Sequence, residues 1–436
     1  MRIALLSWES LHSIVVGGVA SHVSGLASGL ARLGHEVHVF TRLGHGQTTH
    51  TTIDAVHYHR CPYHGHSDFV EDVDDMCRAF VDHVFRIEDA VGHFDVVHAH
   101  DWLTANALIW IKQGRGHRGV LTIHATEYAR CGNALHDGQS RRVRDREWAG
   151  LYWADQIIAV SRATANEIGW IYQVPDWKIH VIHNGIDLQP YDNAPLQQVS
   201  KVRRQLNVGR HDAMVLFCGR LAWQKGPDVL VEAIPAVLAE HPRARFVFAG
   251  AGEMHDDLYR RVHELAISHA VRITGFVGGM DVVQFYHAAD LICVPSRNEP
   301  FGIVVLEAWS AGKPVVATHY GGPSEFVDHE VDGLKIYPHS ESVAWGVLKM
   351  LADAGRARQM GKRGRRKVER WHTWDRIAEQ TASYYQRVVP VDAADAAKLD
   401  KHTSVTADDD TSFRGHAEAV SRPASASRRI ASTARW

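Results

Sequence analysis

Residues 2–41 read RIALLSWESLHSIVVGGVASHVSGLASGLARLGHEVHVFT. The apolar run at 2–7 reads as a buried strand. Residues 18–33 then carry apolar side chains at helical spacing and stop at Gly34. A second apolar run, 35–41, follows at once. Strand, helix, strand in this order is the repeating unit of a parallel sheet with helices on its faces.

Working outward, the alternation continues. Strands are expected at 94–99, 120–124, 156–160 and 178–182, with helices such as 102–112 and 141–153 between them. It lapses after Asn184-Gly185-Ile186-Asp187, and the polar stretch 188–212, with Pro190 and Pro195, reads as a linker. A second series then has strands at 214–218, 245–249, 271–274, 291–295 and 315–318, and helices at 227–240, 256–269, 282–288 and 302–311. The expectation is an α/β chain of two Rossmann-like, doubly wound domains, 1–187 and 213–372. A helix within 373–390 is expected to cross back to the first domain. The tail, 391–436, has few large apolar residues and is expected to be disordered. Ligands in such sheets bind beyond the carboxyl ends of the strands, so two facing domains make one cleft.

Bulk properties narrow the partners. A chain of 436 residues exceeds one ordinary core. Lys plus Arg total 48 against 50 for Asp plus Glu, which gives no bulk reason to expect nucleic acid or an anionic membrane. Any anion site is therefore local. Five scattered cysteines without a C-x-x-C pair read as reduced thiols of a cytoplasmic protein. The opening run is too soon interrupted by Trp8-Glu9 to read as a signal peptide, and no window offers the roughly 18 apolar residues of a transmembrane helix. The basic run 361–370 reads as a solvated helix face. The sequence has no H-E-x-x-H and no D-x-D at a strand end, and Asp408-Asp409-Asp410 falls in the tail. No metal and no other cofactor is expected.

Three places carry candidate chemistry. Gly17-Gly18 precedes the first helix, where glycine lets a ligand approach the backbone and free N–H groups favour an anion. Arg220 falls just past the first strand of the second series. Lys225 precedes the helix that opens with Pro227, so two cations meet a helix N-terminus as a diphosphate would require. Glu299 stands on a loop at a strand's carboxyl end and Glu307 in the next helix, eight residues on. Carboxylates accept paired hydrogen bonds from a sugar diol, and the Phe301-Gly302-Ile303 backbone offers N–H groups at the helix start. His98, His100 and Asp101 end a strand of the first series and are expected on the acceptor side, with capping of the helix near Trp102 an alternative for Asp101. The connection holding Arg130, Cys131, Asn133, Arg141 and Arg142 could fold over an acceptor.

The segment EPFGIVVLE, with Arg220 and Lys225 upstream, resembles the E-x7-E signature of glycosyltransferase family 4. His98-Ala99-His100-Asp101-Trp102 and Thr122-Ile123-His124-Ala125-Thr126-Glu127 resemble stretches of glycogen and starch synthases and their bacterial and archaeal relatives. His372-Thr373-Trp374-Asp375 is similar to the start of the family's final crossing helix. The resemblance implies the GT-B fold and retaining transfer of a hexosyl, most simply glucosyl, group from a nucleotide diphosphate sugar to a carbohydrate acceptor, an α-glucan first. A small-molecule or lipid acceptor, or a GT-B sugar-nucleotide epimerase or hydrolase, stays open beside it. By the same resemblance Glu307 would hold the donor ribose and Glu299 the transferred sugar. The backbone of Phe301, Gly302 and Ile303 would support sugar and phosphate, and Arg220 and Lys225 would neutralise the diphosphate. His124 would lie beside the sugar's reactive face, and Gly17 and Gly18 near the diphosphate. One departure stands out: Val15-Val16-Gly17-Gly18-Val19 replaces the K-x-G-G-L of glycogen and starch synthases, which leaves more phosphate charge to Arg220 and Lys225.

Overall fold

The computed structural model describes residues 1–389, which form one compact unit. The tail expected to be disordered, with its aspartate run, lies outside the described residues.

Two sheets organise the chain. The first contains β1 (Arg2–Leu6), β2 (Glu36–Arg42), β3 (His50–Ile53), β4 (Val56–Cys61), β5 (Val96–His100), β6 (Gly119–Ile123), β7 (Gln156–Ala159) and β8 (Ile179–Val181), in spatial order β3-β4-β2-β1-β5-β6-β7-β8. All neighbours pair in parallel except β3 with β4. The second contains β9 (Ala213–Cys218), β10 (Ala244–Ala249), β11 (Val271–Gly275), β12 (Leu291–Val294), β13 (Val315–Thr318) and β14 (Leu334–Ile336), in order β11-β10-β9-β12-β13-β14 and parallel throughout. Strand order reverses beside β1 in one sheet and beside β9 in the other. Those switch points are where such sheets bind ligands.

The strands are continuously apolar because both faces are covered. Ile3 to Leu6, Val96, Val97, Val215, Leu216 and Ile292 are fully buried. The β3–β4 hairpin was not expected from the sequence. Its two turn residues, Asp54 and Ala55, both take positive φ, 49° and 62°, the geometry of a tight hairpin usually signalled by Asn-Gly. Without a glycine the turn is silent in the sequence.

The stretch 188–212, expected as a polar linker, is folded and packed. It carries helices Gln189–Asp192 and Leu196–Gln205, and Val202, Leu206 and Val208 are buried in the core of the second sheet. Arg203 fastens it by donating to the carbonyls of Ala288, Gly209 and Asp212. Val199, Val202 and Leu206, at helical spacing but diluted by Gln, Ser and Arg, make a narrow stripe that the surrounding polarity hides.

The last described helix, Trp374–Tyr385, crosses back as expected. Ile377, Ala378, Ala382, Tyr384 and Tyr385 join Val23, Leu26 and Val96 in a core of the first sheet. Trp374 lies so close over Gly25 and Gly185 that a Cβ at either would fall within 3 Å of its ring. The basic run 361–370 lies in helix Ala354–Trp371, where Arg365 and Lys367 are engaged by Asp192, Asp332 and backbone carbonyls.

Candidate active site

The second sheet's carboxyl edge gathers most of the expected residues. Lys225 ends a short turn at Gly226, whose φ is +66° and whose missing Cβ would lie 2.3 Å from the Pro295 carbonyl oxygen. Only glycine fits, and this contact brings Lys225 against the end of β12. There its Nζ lies 2.8 and 2.9 Å from the two oxygens of Glu299. Ser296 donates to the same carboxylate at 2.9 Å. Glu299 is buried, so its charge is compensated by a cation and a hydroxyl rather than by water. Arg297 locks the two loops together with a two-pronged pair to Asp228 at 2.8 and 2.6 Å.

Arg220 differs from Lys225. It is exposed, and its side-chain contact is a 3.4 Å approach to Gln224. A guanidinium held so loosely is available to an incoming anion. Glu307 lies deeper. The Tyr286 hydroxyl donates to it at 2.5 Å, and burial pushes its carboxyl above the ordinary range. Burial also pushes the neighbouring Cys218 thiol up to about 12, so it stays protonated. Gly302 starts helix Ile303–Ser310 with φ +95°; Val305 N–H donates back to its carbonyl, leaving the N–H groups of Ile303 and Val304 without intrahelical acceptors. The Phe301 ring is buried against Phe326, so only its backbone can serve a ligand.

The first sheet supplies the facing residues. Gly17 is extended, at φ −156°, and a Cβ on Gly18 would meet nothing within 4 Å. The expected free N–H groups are, however, partly taken. The buried carboxylate of Glu9 accepts from Val16 N and Gly17 N, each at 2.5 Å. Burial raises the Glu9 pKa against the pull of these N–H groups. Glu9 thus sits where an anion was expected, a placement that the sequence does not announce.

His124 lies at the end of β6, part-buried, with its backbone N–H donating to Asp101 Oδ1 at 2.7 Å. The other Asp101 oxygen accepts from Arg130 at 2.9 Å. Asp101 is therefore a brace for the His124 loop; it makes no side-chain cap on the turn that follows and presents no free oxygen. His98 is also withdrawn from the acceptor side. It is fully buried, with Nδ1 2.6 Å from the Tyr385 hydroxyl and Nε2 2.7 Å from Thr122 Oγ1. Its partner Tyr385 is 287 residues away, beyond any local reading. His100 is buried as well, with Nδ1 3.2 Å from His124 Nε2. Burial, first among the causes, drives the pKa of His98 and His124 down to about 3 and that of His100 well below the usual histidine value. These imidazoles are neutral.

In the long connection of the first domain, Asn133 reaches the site: its Oδ1 accepts from Asn298 Nδ2 at 2.5 Å, beside Glu299. Arg130 is spent on Asp101 and Glu147, Cys131 is placed beside Glu127, and Arg142 pairs with Asp68 and Glu71. A second link is made by Glu325, which accepts from the N–H groups of Arg162 and Ala163 at 2.9 Å each.

Two family models match the chain. "Glycosyltransferase Family 4" covers residues 16–190 and "Glycosyl transferases group 1" covers 198–367. An uncharacterized glycosyltransferase of Methanocaldococcus jannaschii is 36% identical over 88% of this chain and 98% of its own length. The chain belongs to glycosyltransferase family 4. Among its relatives, the glycogen synthase of Mycobacterium tuberculosis is 30% identical over 88% of this chain and 94% of its own. The D-inositol 3-phosphate glycosyltransferase of Kineococcus radiotolerans is 32% identical over 87% of this chain and 92% of its own. Among solved structures, the sucrose-phosphate synthase of Thermosynechococcus elongatus superposes with a TM-score of 0.72 at 24% identity, covering 88% of this chain and 98% of that one. The fold is GT-B, and the Lys225–Glu299 and His100–His124 clusters stand at the ends of its two central sheets. Among the described residues, no helix of this glycosyltransferase is long and apolar enough to cross a membrane.

Proposed function

We propose that this glycosyltransferase moves a glucosyl group from a nucleotide diphosphate sugar to a hydroxyl of an α-glucan, with retention at the anomeric carbon. The observation that carries the reading is the Lys225–Glu299 pair beside the loosely held Arg220. The pair is a placeholder. When the donor binds, a phosphate oxygen replaces the Glu299 carboxylate on Lys225. Glu299, still held by Ser296, then turns its acceptors to the sugar hydroxyls. Arg220 takes the other face of the diphosphate, and the N–H groups at Gly302 and Ile303 add a helix N-terminus to it. Glu307 accepts from the ribose hydroxyls. Bond breaking spreads positive charge over the sugar and negative charge over the leaving phosphate, and the two cations stabilise the latter.

Same-face attack fits the first sheet. A double displacement needs a free carboxylate about 5 Å from its partner acid. The carboxylate beside His124, Asp101, is bound by the His124 N–H and by Arg130. In our reading the leaving phosphate takes the acceptor proton, and His124 positions the sugar. The two cations do the charge neutralisation, so transfer proceeds without a divalent ion or other cofactor. The five free thiols accord with a cytoplasmic setting.

The test is nucleoside diphosphate release from ADP-, UDP- and GDP-glucose, with and without glycogen or maltooligosaccharide and with chelator present. Release that requires the glucan and vanishes in Arg220→Ala and Glu299→Ala supports the reading and names the base. Acceptor-independent release points to a hydrolase or epimerase instead. The 32% identity to an inositol phosphate glycosyltransferase favours a second reading, a small phosphorylated acceptor. Release with an inositol phosphate and none with glucan selects it.

A further inference from the structure

Beneath His124 lies a cluster that the transfer reaction does not use in full. His22, one turn into helix Gly18–Arg32, meets His100 and His124 edge-on, with ring centroids 5.2 and 4.5 Å away. One ring nitrogen from each of the three lies within 4.8 Å of the other two. His22 Nδ1 is 2.8 Å from Asn184 Oδ1, so that nitrogen carries the proton and Nε2 carries a lone pair. His22 Nε2 and His100 Nε2 are both buried and find no hydrogen-bond partner among the described residues. His22 is 5% exposed and His100 1%. Buried nitrogens of this kind call for a partner.

We propose that His22, His100 and His124 form a binding site for a borderline divalent cation of the zinc class, with Asn184 fixing the His22 tautomer from behind. Three imidazoles and no carboxylate are a donor set for Zn2+, Co2+ or Ni2+ rather than for Mg2+ or Ca2+. An amide oxygen accepting from the far ring nitrogen is the usual support of such a ligand. Zn–N bonds of about 2.0–2.1 Å in a tetrahedral arrangement set nitrogen–nitrogen edges of roughly 3.4 Å. No nitrogen–nitrogen edge therefore closes by more than about 1.4 Å, and the cation replaces the His100–His124 hydrogen bond. The other three-residue group of this kind among the described residues, Glu88 with His93 and His117, is a contrast. His117 already bonds Phe94 O and Glu88 through both nitrogens, and Glu88 is paired with Arg115, so that group is a finished ion-pair network.

The cation site does not depend on the proposed transfer, although its consequence does. Holding His124 on a metal removes it from the donor sugar, so Zn2+ inhibits and a chelator restores turnover.

The full chain, stripped with chelator, is titrated with Co2+ and then Zn2+. The expected result is one equivalent of Co2+ with the intense visible absorption of a tetrahedral centre, bleached by Zn2+, and a thermal midpoint raised by Zn2+. His22→Asn should abolish the band, whereas the exposed-histidine variants His45→Asn and His64→Asn should keep it. Asn184→Leu retains all three ligands and should weaken binding roughly 10- to 100-fold, which keeps the test decisive if His22→Asn does not fold. Absence of the band in the wild type, its survival in His22→Asn, or unchanged affinity in Asn184→Leu overturns the proposal.

Discussion

The two sheets present opposite chemistry at their carboxyl ends. At the second, Arg220, Lys225 and Glu299 are charged, and Arg220 is exposed. At the first, His98, His100 and His124 are neutral, and the charged groups, Glu9, Asp101 and Arg130, are already bound to backbone or to each other. One wall can supply compensation for a diphosphate. The other can offer shape and neutral hydrogen bonding to a sugar. Charge concentrated on one wall also limits repulsion when the walls approach.

The most direct way to break this division is to remove a cation from the charged wall. Arg220→Ala should lower kcat by roughly 10²–10³, measured as nucleoside diphosphate release, with the thermal midpoint unchanged because the side chain is exposed. Gly226→Val should also fall in this range: it forces a branched residue to positive φ and into the Pro295 carbonyl, moving Lys225 off Glu299. Unlike Arg220→Ala, it should destabilise the fold by about 1–3 kcal/mol, read from urea denaturation.

On the neutral wall the effects should be smaller. His124→Ala removes one neutral hydrogen-bonding group and should slow turnover by roughly 10-fold, corresponding to about 1–1.5 kcal/mol. An effect as large as that of Arg220→Ala would erase the contrast between the walls. The first sheet should also govern acid stability. Burial and the adjoining His38, His50, His57 and His83 drive the His59 pKa down to about 3. In the unfolded chain this imidazole takes its proton near pH 6.5. Between those values the unfolded state binds the extra proton, so stability falls as pH drops from about 6.5 towards 3. His59→Phe, which keeps the stack on Phe40, should flatten that slope by up to about 1.4 kcal/mol per pH unit. The smallest effect is expected at Glu9. Glu9→Gln keeps an acceptor for the Gly17 N–H but removes a negative charge, and should lower the donor KM by a few-fold, whereas Glu9→Ala should raise it by freeing the glycine loop. Steady-state kinetics of the pair separates charge from anchoring.

How much of this could be read beforehand follows the range of the interactions. Strand-helix alternation is local, so both sheets and the crossing helix were legible. The Asp54-Ala55 turn was not, because positive φ is imposed there by pairing of β3 with β4. The stretch 188–212 looked like a linker because Val202 and Leu206 find their partners in the core of the second sheet. At the site, Arg220 and Glu299 announce themselves by charge just past strand ends, and Lys225 and Glu307 by charge at or in the helices that follow. His98 was legible as a strand-end histidine but not as one saturated by Tyr385. Asn133 was legible as part of a connection near the site but not as the partner of Asn298, and Glu9 and His22 carried no signal, since each matters only through what the fold sets against it.

The path of residues 373–389 bears on how such enzymes can be recombined. Trp374 closes over Gly25 and Gly185, and Tyr384 and Tyr385 complete the core behind β5 and β7. The last described segment is therefore a component of the opening half. A chimera that exchanges first halves between relatives at residue 187 would leave that core with a foreign lid. The exchange unit is discontinuous: the first 187 residues travel together with the last described seventeen, and the half built on the second sheet is an insert between them.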